Sequence, residues 1–152
     1  MFEIKEAVAT DMPSVLKLIQ ELAEFEKEPE AVEVTINDLC NDYKAQRFNC
    51  LVAMFNDVVV GMALFYYRYS TWKGKTIHLE DLIVTENFRG KGIGKALLDT
   101  VVDKAKKENL RRVEWNVLDW NIPAIDFYKG VGATVFNNWL VVQLDEKGIQ
   151  NY

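Results

Sequence analysis

The sequence predicts an α/β fold built on a mixed, mostly antiparallel sheet, and two observations lead to it. Apolar residues recur at helical spacing over 15–25 and 93–105, between short runs typical of strands. Two of those runs, CLVAMF and VVVGMALFYYRY, flank Asn56 and Asp57, a pair that suits a tight hairpin. The 152 residues fit one domain, for which we expect about seven strands and about four helices.

The first third of the chain is predicted to form one strand and two helices. Residues 2–8 alternate as a strand, and Asp11 with Pro13 marks the start of a helix over about 12–27. Thr35 is the predicted cap of a second helix that ends near residue 45, with Asp38 completing a box-like arrangement.

The remaining elements alternate between strands and helices. We expect strands at 50–55, 58–68 and 76–84, then a helix that ends near Asn109. A fifth strand (RRVEWNVL), a short helix (IPAIDFYKGV) and two strands over about 134–144 complete the order βααβββαβαββ. Because neither a repeat nor a Pro/Gly/Ser-rich linker interrupts this order, residues 1–152 are expected to form a single domain.

Composition disfavours several classes of function. Eighteen Lys and Arg against 23 Asp and Glu give a net charge of −5, the wrong sign for a nucleic-acid-binding protein but favourable for a cationic substrate. Cys40 and Cys50 lack a CxxC spacing and His78 is the single histidine, so no metal site is expected. With no signal-like N-terminus and no long apolar run, we expect a reduced cytosolic protein with no membrane partner.

A glycine cluster lies at residues 88–97, FRGKGIGKAL, between a predicted strand and a predicted helix. Ala96 after GK excludes a Walker loop, and the GxGxG spacing excludes a dinucleotide fingerprint. The amides of about 90–95 can still converge on an anion such as a pyrophosphate, helped by the helix N-terminus. On the motif alone, an ordinary glycine-rich turn before an amphipathic helix is about equally well supported.

Two longer stretches extend the interpretation. HLEDLIVTENFRGKGIGKALL and WNVLDWNIPAIDFYKGVGA resemble the acetyl-CoA-binding core of the GNAT N-acetyltransferases, and the predicted element order is similar along essentially the full chain. ELAEFEK, YSTWKGKTIHLED and VLDWN resemble the diamine acetyltransferase subfamily, particularly its thialysine N-ε-acetyltransferase branch. The resemblance implies acetyl-CoA as co-substrate and a primary amine of a small cationic molecule as acceptor, which attacks the thioester directly.

The resemblance also implies catalytic roles. Tyr128 matches the tyrosine that protonates the departing thiolate, and Glu80 matches the acid that binds the substrate ammonium and accepts its proton, directly or through water. Periodicity alone favours a core aromatic at Tyr128. Glu80 and Asp81, as neighbours on a strand, point to opposite faces unless the strand is bulged. Asp81 is alternatively a structural acid buried against Arg or Lys, or both acids form a solvated edge pair.

Further site residues follow from the resemblance only. Asn121 has a local explanation as well, because Asn before Ile-Pro suits a helix N-cap. The aromatic residues implied in the substrate channel would each, taken alone, more often be core packing. The implied cofactor-binding residues are Leu82, Ile83, Val84, Arg89, Gly90, Lys91, Gly92, Ile93, Gly94, Lys95, Asn121, Pro123, Ala124 and Tyr128, and the implied substrate-binding residues are Phe25, Glu26, Trp72, Glu80, Asp81 and Trp120.

Departures from the subfamily pattern bear on the acceptor and the assembly. Polyamine-acetylating relatives usually carry Asp where this chain has Ser70, and an acid where Asn137 and Asn138 precede Trp139, which weakens the case for a long polycation. Ser70 belongs to the YSTWKG sequence shared with the thialysine branch and favours a shorter, lysine-like amine, although Asn137 departs from both branches. A polyamine, an aminoglycoside or a protein amine is the alternative acceptor, and a catalytically silent acyl-CoA sensor is the alternative outside enzymes. The resemblance implies a homodimer through the C-terminal strands. WLVVQL is compatible with such an interface and equally with a buried strand of a monomer.

Overall fold

The computed structural model describes residues 1–152 and confirms an α/β fold with a mixed sheet. The chain forms two compact units, Met1–Asn116 and Val117–Tyr152, which are described separately. The strands are β1 (Glu3–Glu6), β2 (Asn49–Phe55), β3 (Val58–Ser70), β4 (Gly74–Val84) and β5 (Val113–Glu114), and the helices are α1 (Met12–Phe25), α2 (Ile36–Lys44), α3 (Ile93–Lys107), α4 (Ile122–Gly130) and α5 (Glu146–Gln150).

All five strands lie in one sheet of the first unit, in the order β1-β2-β3-β4-β5. The first four are antiparallel, and β5 runs parallel to β4. The predicted hairpin is confirmed at Asn56 and Asp57, whose φ angles of 48° and 62° match the left-handed turns that antiparallel hairpins favour. β3 and β4 continue to a tight turn over 71–73, so both strands are longer than expected.

Helices cover both faces of this sheet. Residues of α1 and α2 pack with Val52, Met62, Leu64 and Ile83 in one buried cluster. Side chains alternate along a strand, so the neighbouring strand residues face the other way, where α3 packs through its own buried apolar residues. The cap predicted for α2 is confirmed, with Thr35 Oγ1 accepting from the Asp38 amide at 3.1 Å.

Two expectations for the end of the chain are wrong. Residues 134–144 form no strand, and β5 spans two residues rather than about eight. Leu140 and Val142 are 88% and 90% exposed. An apolar run becomes a strand only where another backbone edge pairs with it, and no strand of this chain does so. The short helix α5, capped by Asp145, was not predicted.

No helix in the structure has both the length and the apolar character needed to cross a membrane.

Candidate active site

A bulge in β4 decides where the predicted carboxylates point. Asp81 lies opposite Leu64 and Leu79 opposite Phe65, so Glu80 is the extra residue that has no partner on β3. His78 pairs with Tyr66, which lies two residues from Leu64 and therefore on the same face. The bulge thus directs His78, Glu80 and Asp81 to the α1 face, although a regular strand would separate the two acids.

Three carboxylates gather on this face. Asp81 is largely buried and makes no ion pair with Arg or Lys, which argues against the alternative of a structural acid paired with a base. Burial, followed by the charges of Glu80 and Glu26, raises the pKa of Asp81 to about 7. Burial and the charge of Glu80 also raise the pKa of Glu26, the residue that follows α1. This acidic cluster attracts a cation and can hold a proton near neutral pH.

Two neighbours hold the Glu80 carboxylate. The Tyr66 hydroxyl donates a hydrogen bond to Glu80 Oε2 at 3.2 Å, and His78 Nε2 lies 3.4 Å from the same oxygen. The Glu80 side chain is still 52% exposed, so solvent and substrate can reach it. Neither Tyr66 nor His78 was predicted as a site residue. The available signal was the two-residue period of strands. His78 lies two residues before Glu80 on β4, and Tyr66 pairs with His78 from the facing strand β3.

Next to the acidic cluster, one edge of β4 is open. β5 pairs with β4 only at Ile77 and His78, and no strand pairs with β4 on that side from 79 to 84. The backbone of Leu82, Ile83 and Val84, implied in cofactor binding, lies in this open stretch. An unpaired strand edge offers N–H and C=O groups to an extended ligand.

The glycine loop follows directly at the end of β4. Gly90 and Gly92 have φ angles of 74° and 80°, a region in which other residues are strained. A Cβ at either position would meet no atom within 4 Å, so the space above the loop is open. Gly92 precedes α3 as its N-cap and provides no side-chain cap, and the Ala96 amide donates to its carbonyl at 3.0 Å. The amides of Ile93, Gly94 and Lys95 therefore remain available for an anion. These features fit the diphosphate of a coenzyme A molecule.

The basic residues of the glycine loop make different contacts. Arg89 Nε donates to the Val84 carbonyl at 2.8 Å, and the guanidinium lies 3.6 Å from Glu21. Glu21 also accepts from the Thr85 hydroxyl at 2.9 Å, so this unpredicted residue ties α1 to the loop. Lys95 pairs with Asp99 on the exposed face of α3 at 2.6 Å. Arg89 therefore holds the loop in place.

The predicted aromatic residues of the first unit are far apart. Phe25 ends α1, immediately before Glu26, and Arg89 lies over its ring at 5.8 Å. Trp72 lies in the β3–β4 turn and is 78% exposed. Six residue steps of β4 separate this turn from Glu80, about 20 Å at the usual rise of a strand. The structure brings Glu26, Glu80 and Asp81 together and leaves Trp72 at the other end of the hairpin.

In the second unit, the predicted residues lie on or beside α4. Asn121 caps this helix as expected, with its side chain accepting from the Ala124 amide at 3.4 Å, and Pro123 lies in the first turn. Tyr128 lies in the second half of α4, with its ring 5.5 Å from that of Phe127. Trp120 directly precedes the cap and is 43% exposed.

Comparison with known proteins identifies the family. The sequence profile of the Acetyltransferase (GNAT) family matches residues 12–133. The chain belongs to the GNAT acetyltransferase family. It is therefore an N-acetyltransferase with acetyl-CoA as co-substrate, as the resemblance implied. The match covers nearly all of the first compact unit and the first part of the second, to residue 133.

Two relatives and one solved structure are similar to this chain over most of its length. This acetyltransferase is 39% identical to a thialysine N-ε-acetyltransferase of Bos taurus, over 86% of the chain and 82% of that protein. It is 34% identical to a thialysine N-ε-acetyltransferase of Caenorhabditis elegans, over 99% of the chain and 96% of that protein. An integron cassette protein from the mobile metagenome of V. cholerae has the same fold, with a TM-score of 0.79, 24% identity and coverage of 99% and 96%.

Proposed function

We propose that this acetyltransferase acetylates the primary amine of a small cationic substrate, with thialysine or a similar lysine-like amine as the preferred acceptor. The observation that carries the proposal is the acidic cluster of Glu26, Glu80 and Asp81 beside the open edge of β4. The names of the bovine and nematode relatives support this class of acceptor.

The cluster has two tasks in this proposal. An ammonium group binds to the carboxylates, and it must lose a proton before its nitrogen can attack. Glu80 accepts that proton, directly or through one water, since its carboxylate is half exposed while Tyr66 and His78 hold it in place. Asp81 and Glu26, in their ionised forms, add the negative charge that selects a cation.

Acetyl-CoA supplies the acetyl group as a reactive thioester. The backbone of Leu82, Ile83 and Val84 binds the extended arm along the open edge, and a main-chain amide there faces the carbonyl oxygen, where charge develops during transfer. The amides of residues 90–95 hold the diphosphate, and residues 121–124 make a further contact. Tyr128 donates a proton to the departing sulfur, because a phenol stays protonated at neutral pH.

The position of the acids favours a short acceptor. The Ser70 hydroxyl at the far end of β3 accepts hydrogen bonds from the Trp72 and Lys73 amides at 3.2 and 3.1 Å, and these bonds stabilise the β3–β4 turn. No carboxylate stands at this position to bind a second ammonium group. One charged amine bound at Glu80 and Asp81 fits this arrangement better than a long polycation.

Assembly and compartment belong to the same proposal. Residues 139–144 are apolar and include Leu140 and Val142, which are almost fully exposed in the single chain. A homodimer through this segment would bury them, and Leu140→Asp should then give a monomer by analytical ultracentrifugation. We propose that both compact units form one catalytic domain over 1–152. The free thiols of Cys40 and Cys50 are compatible with a reducing, cytosolic compartment.

The test is an amine panel with coenzyme A thiol release as the readout. We expect thialysine to give the highest kcat/KM among thialysine, lysine, ornithine, spermidine, an aminoglycoside and a basic peptide. A preference for spermidine would favour the polyamine alternative. If acetyl-CoA binds but no amine causes thiol release, the chain is a silent sensor and the proposal fails.

Two variants separate transfer from cofactor binding. Tyr128→Phe should lower kcat and leave the affinity for acetyl-CoA unchanged, because only the proton donor is lost. Gly92→Glu should abolish acetyl-CoA binding, since it places a strained and charged side chain at the loop. Unchanged turnover in Tyr128→Phe would remove this residue from the mechanism.

A further inference from the structure

The single histidine of the chain lies beside the proposed proton acceptor. The side chain of His78 is 7% exposed and lies between two carboxylates. Its Nε2 is 3.4 Å from Glu80 Oε2, and its Nδ1 is 3.6 Å from Glu114 Oε1 on β5. A buried imidazole that bridges a proposed active-site carboxylate and a neighbouring strand needs an explanation beyond packing.

Every strand around the ring contributes a charged or titratable group. From β3, the Tyr66 ring lies 5.2 Å away, and Arg68 Nη1 lies 3.3 Å from Nδ1. Arg68 also pairs with Glu114 at 2.7 Å, and Arg112, just before β5, approaches Glu114 at 3.6 Å. Both arginines neutralise Glu114, and Arg68 also contacts the imidazole at Nδ1.

The partners determine where the ring carries its hydrogens. A guanidinium can only donate a hydrogen bond, so a neutral imidazole accepts from Arg68 at Nδ1. The neutral ring then carries its hydrogen at Nε2. In the protonated ring, Nδ1–H faces Glu114 and Nε2–H again faces Glu80. Both forms therefore present an N–H to Glu80.

We propose that His78 is the positioning residue of Glu80 in the amine acetylation reaction, an inference that rests on the proposed function. His78 and Tyr66 both contact Oε2, which leaves Oε1 of Glu80 to accept the proton of the substrate. His78 acts through Glu80, and the ion pair of Arg68 and Glu114 holds the ring in position.

The experiment compares His78→Phe, which keeps an aromatic ring without a donor, with His78→Gln, whose amide can still donate. We expect His78→Phe to lower kcat about tenfold, because Glu80 loses its polar contact with Nε2 of the imidazole. The acidic limb of its kcat/KM profile should move to higher pH, because the Glu80 carboxylate has lost a polar neighbour that favours its charged form. His78→Gln should restore most of kcat, and the KM for acetyl-CoA should stay unchanged in both variants.

Tyr67→Phe is the matched control, because it removes a hydrogen bond to a carboxylate from the opposite face of the same hairpin. It should leave kcat and the pH profile unchanged. Thermal unfolding of all variants verifies that each is folded at the assay temperature, and kcat is expressed per folded protein.

Each result decides for or against the proposal. An unchanged kcat and pH profile in His78→Phe overturns it, and so does an equal loss in both His78 variants, which would indicate a packing role. In both cases an active wild type leaves the proposed function standing. A wild type that acetylates no amine overturns both proposals together.

Discussion

The two faces of the central sheet differ in how they use the same strands. On the α3 face, Phe65 and Leu79 are almost completely buried together with Leu97 and Val101 of the helix. At the rim of this face, the Tyr67 hydroxyl donates to Glu108 at 2.6 Å. The α1 face is apolar around Met62 but changes, within a few residues of β3 and β4, to a group of acids, a tyrosine and a histidine.

The bulge at Glu80 explains this difference. In a regular strand, one of two adjacent acids would point into the apolar α3 face, and an unpaired buried carboxylate there would cost several kcal/mol. The extra residue places both acids on the α1 face instead. One inserted residue thus keeps the two acids away from the apolar α3 face and places them on the α1 face. The following experiments test this separation.

The largest effect is expected from Glu80→Gln on the α1 face. It should lower kcat with the amine by about 100-fold or more, because an amide cannot accept the proton. Steady-state kinetics with a saturating amine measure this loss, and the affinity for acetyl-CoA should not change.

The matched control is Glu108→Gln on the rim of the α3 face, which should keep normal turnover. An equal loss in both variants, or an equal loss of cofactor affinity in Glu80→Gln, would contradict the assignment of Glu80.

On the α3 face, Leu97→Ala should act on stability instead. Leu97 is completely buried, and its truncation should lower the free energy of unfolding by about 2 to 5 kcal/mol through the cavity it leaves. Urea denaturation measures this change. Folded protein should retain its kcat, and a large loss of kcat without loss of stability would show that the two faces are not separate in function.

Asp81 connects stability with pH. Its pKa of about 7 lies above its ordinary value of 3.8, so the folded protein keeps this proton to higher pH than the unfolded chain does. The stability contributed by Asp81 is therefore greatest at low pH, falls as the pH rises from about 4 to about 7, and then levels off.

Asp81→Asn should remove this dependence. Between pH 5 and pH 7 the wild type should lose about 2 to 3 kcal/mol of unfolding free energy relative to the variant. Parallel denaturation curves at both pH values measure the difference. A variant whose stability relative to the wild type is the same at both would show that Asp81 is ionised throughout.

The smallest effect is expected from Tyr67→Phe at the rim of the α3 face. Loss of the hydrogen bond to Glu108 should lower the free energy of unfolding by about 1 kcal/mol, since both groups are partly solvated. Turnover should be unchanged. A shift in turnover comparable to that of Glu80→Gln would break the distinction between the two faces.

Much of the fold could be predicted because it depends on local chemistry. Helical periodicity predicted α1 and α3, Asn56 and Asp57 predicted the hairpin, and Thr35 and Asn121 predicted two helix caps. Each of these signals acts within a few residues of the chain. The glycine loop belongs to the same class, because Gly90 and Gly92 adopt positive φ angles that their lack of a side chain permits.

The remaining features depended on contacts between distant residues. Alternation alone could not place Glu80 and Asp81 on one face, because a bulge is fixed by the register between β3 and β4. The contact of His78 with both Glu80 and Glu114 likewise requires β5 beside β4. Residues 134–144 have a strand-like sequence without a strand, because pairing needs a second backbone edge. Local sequence sets which elements can form, and the tertiary arrangement decides which edges meet and which charges share a face.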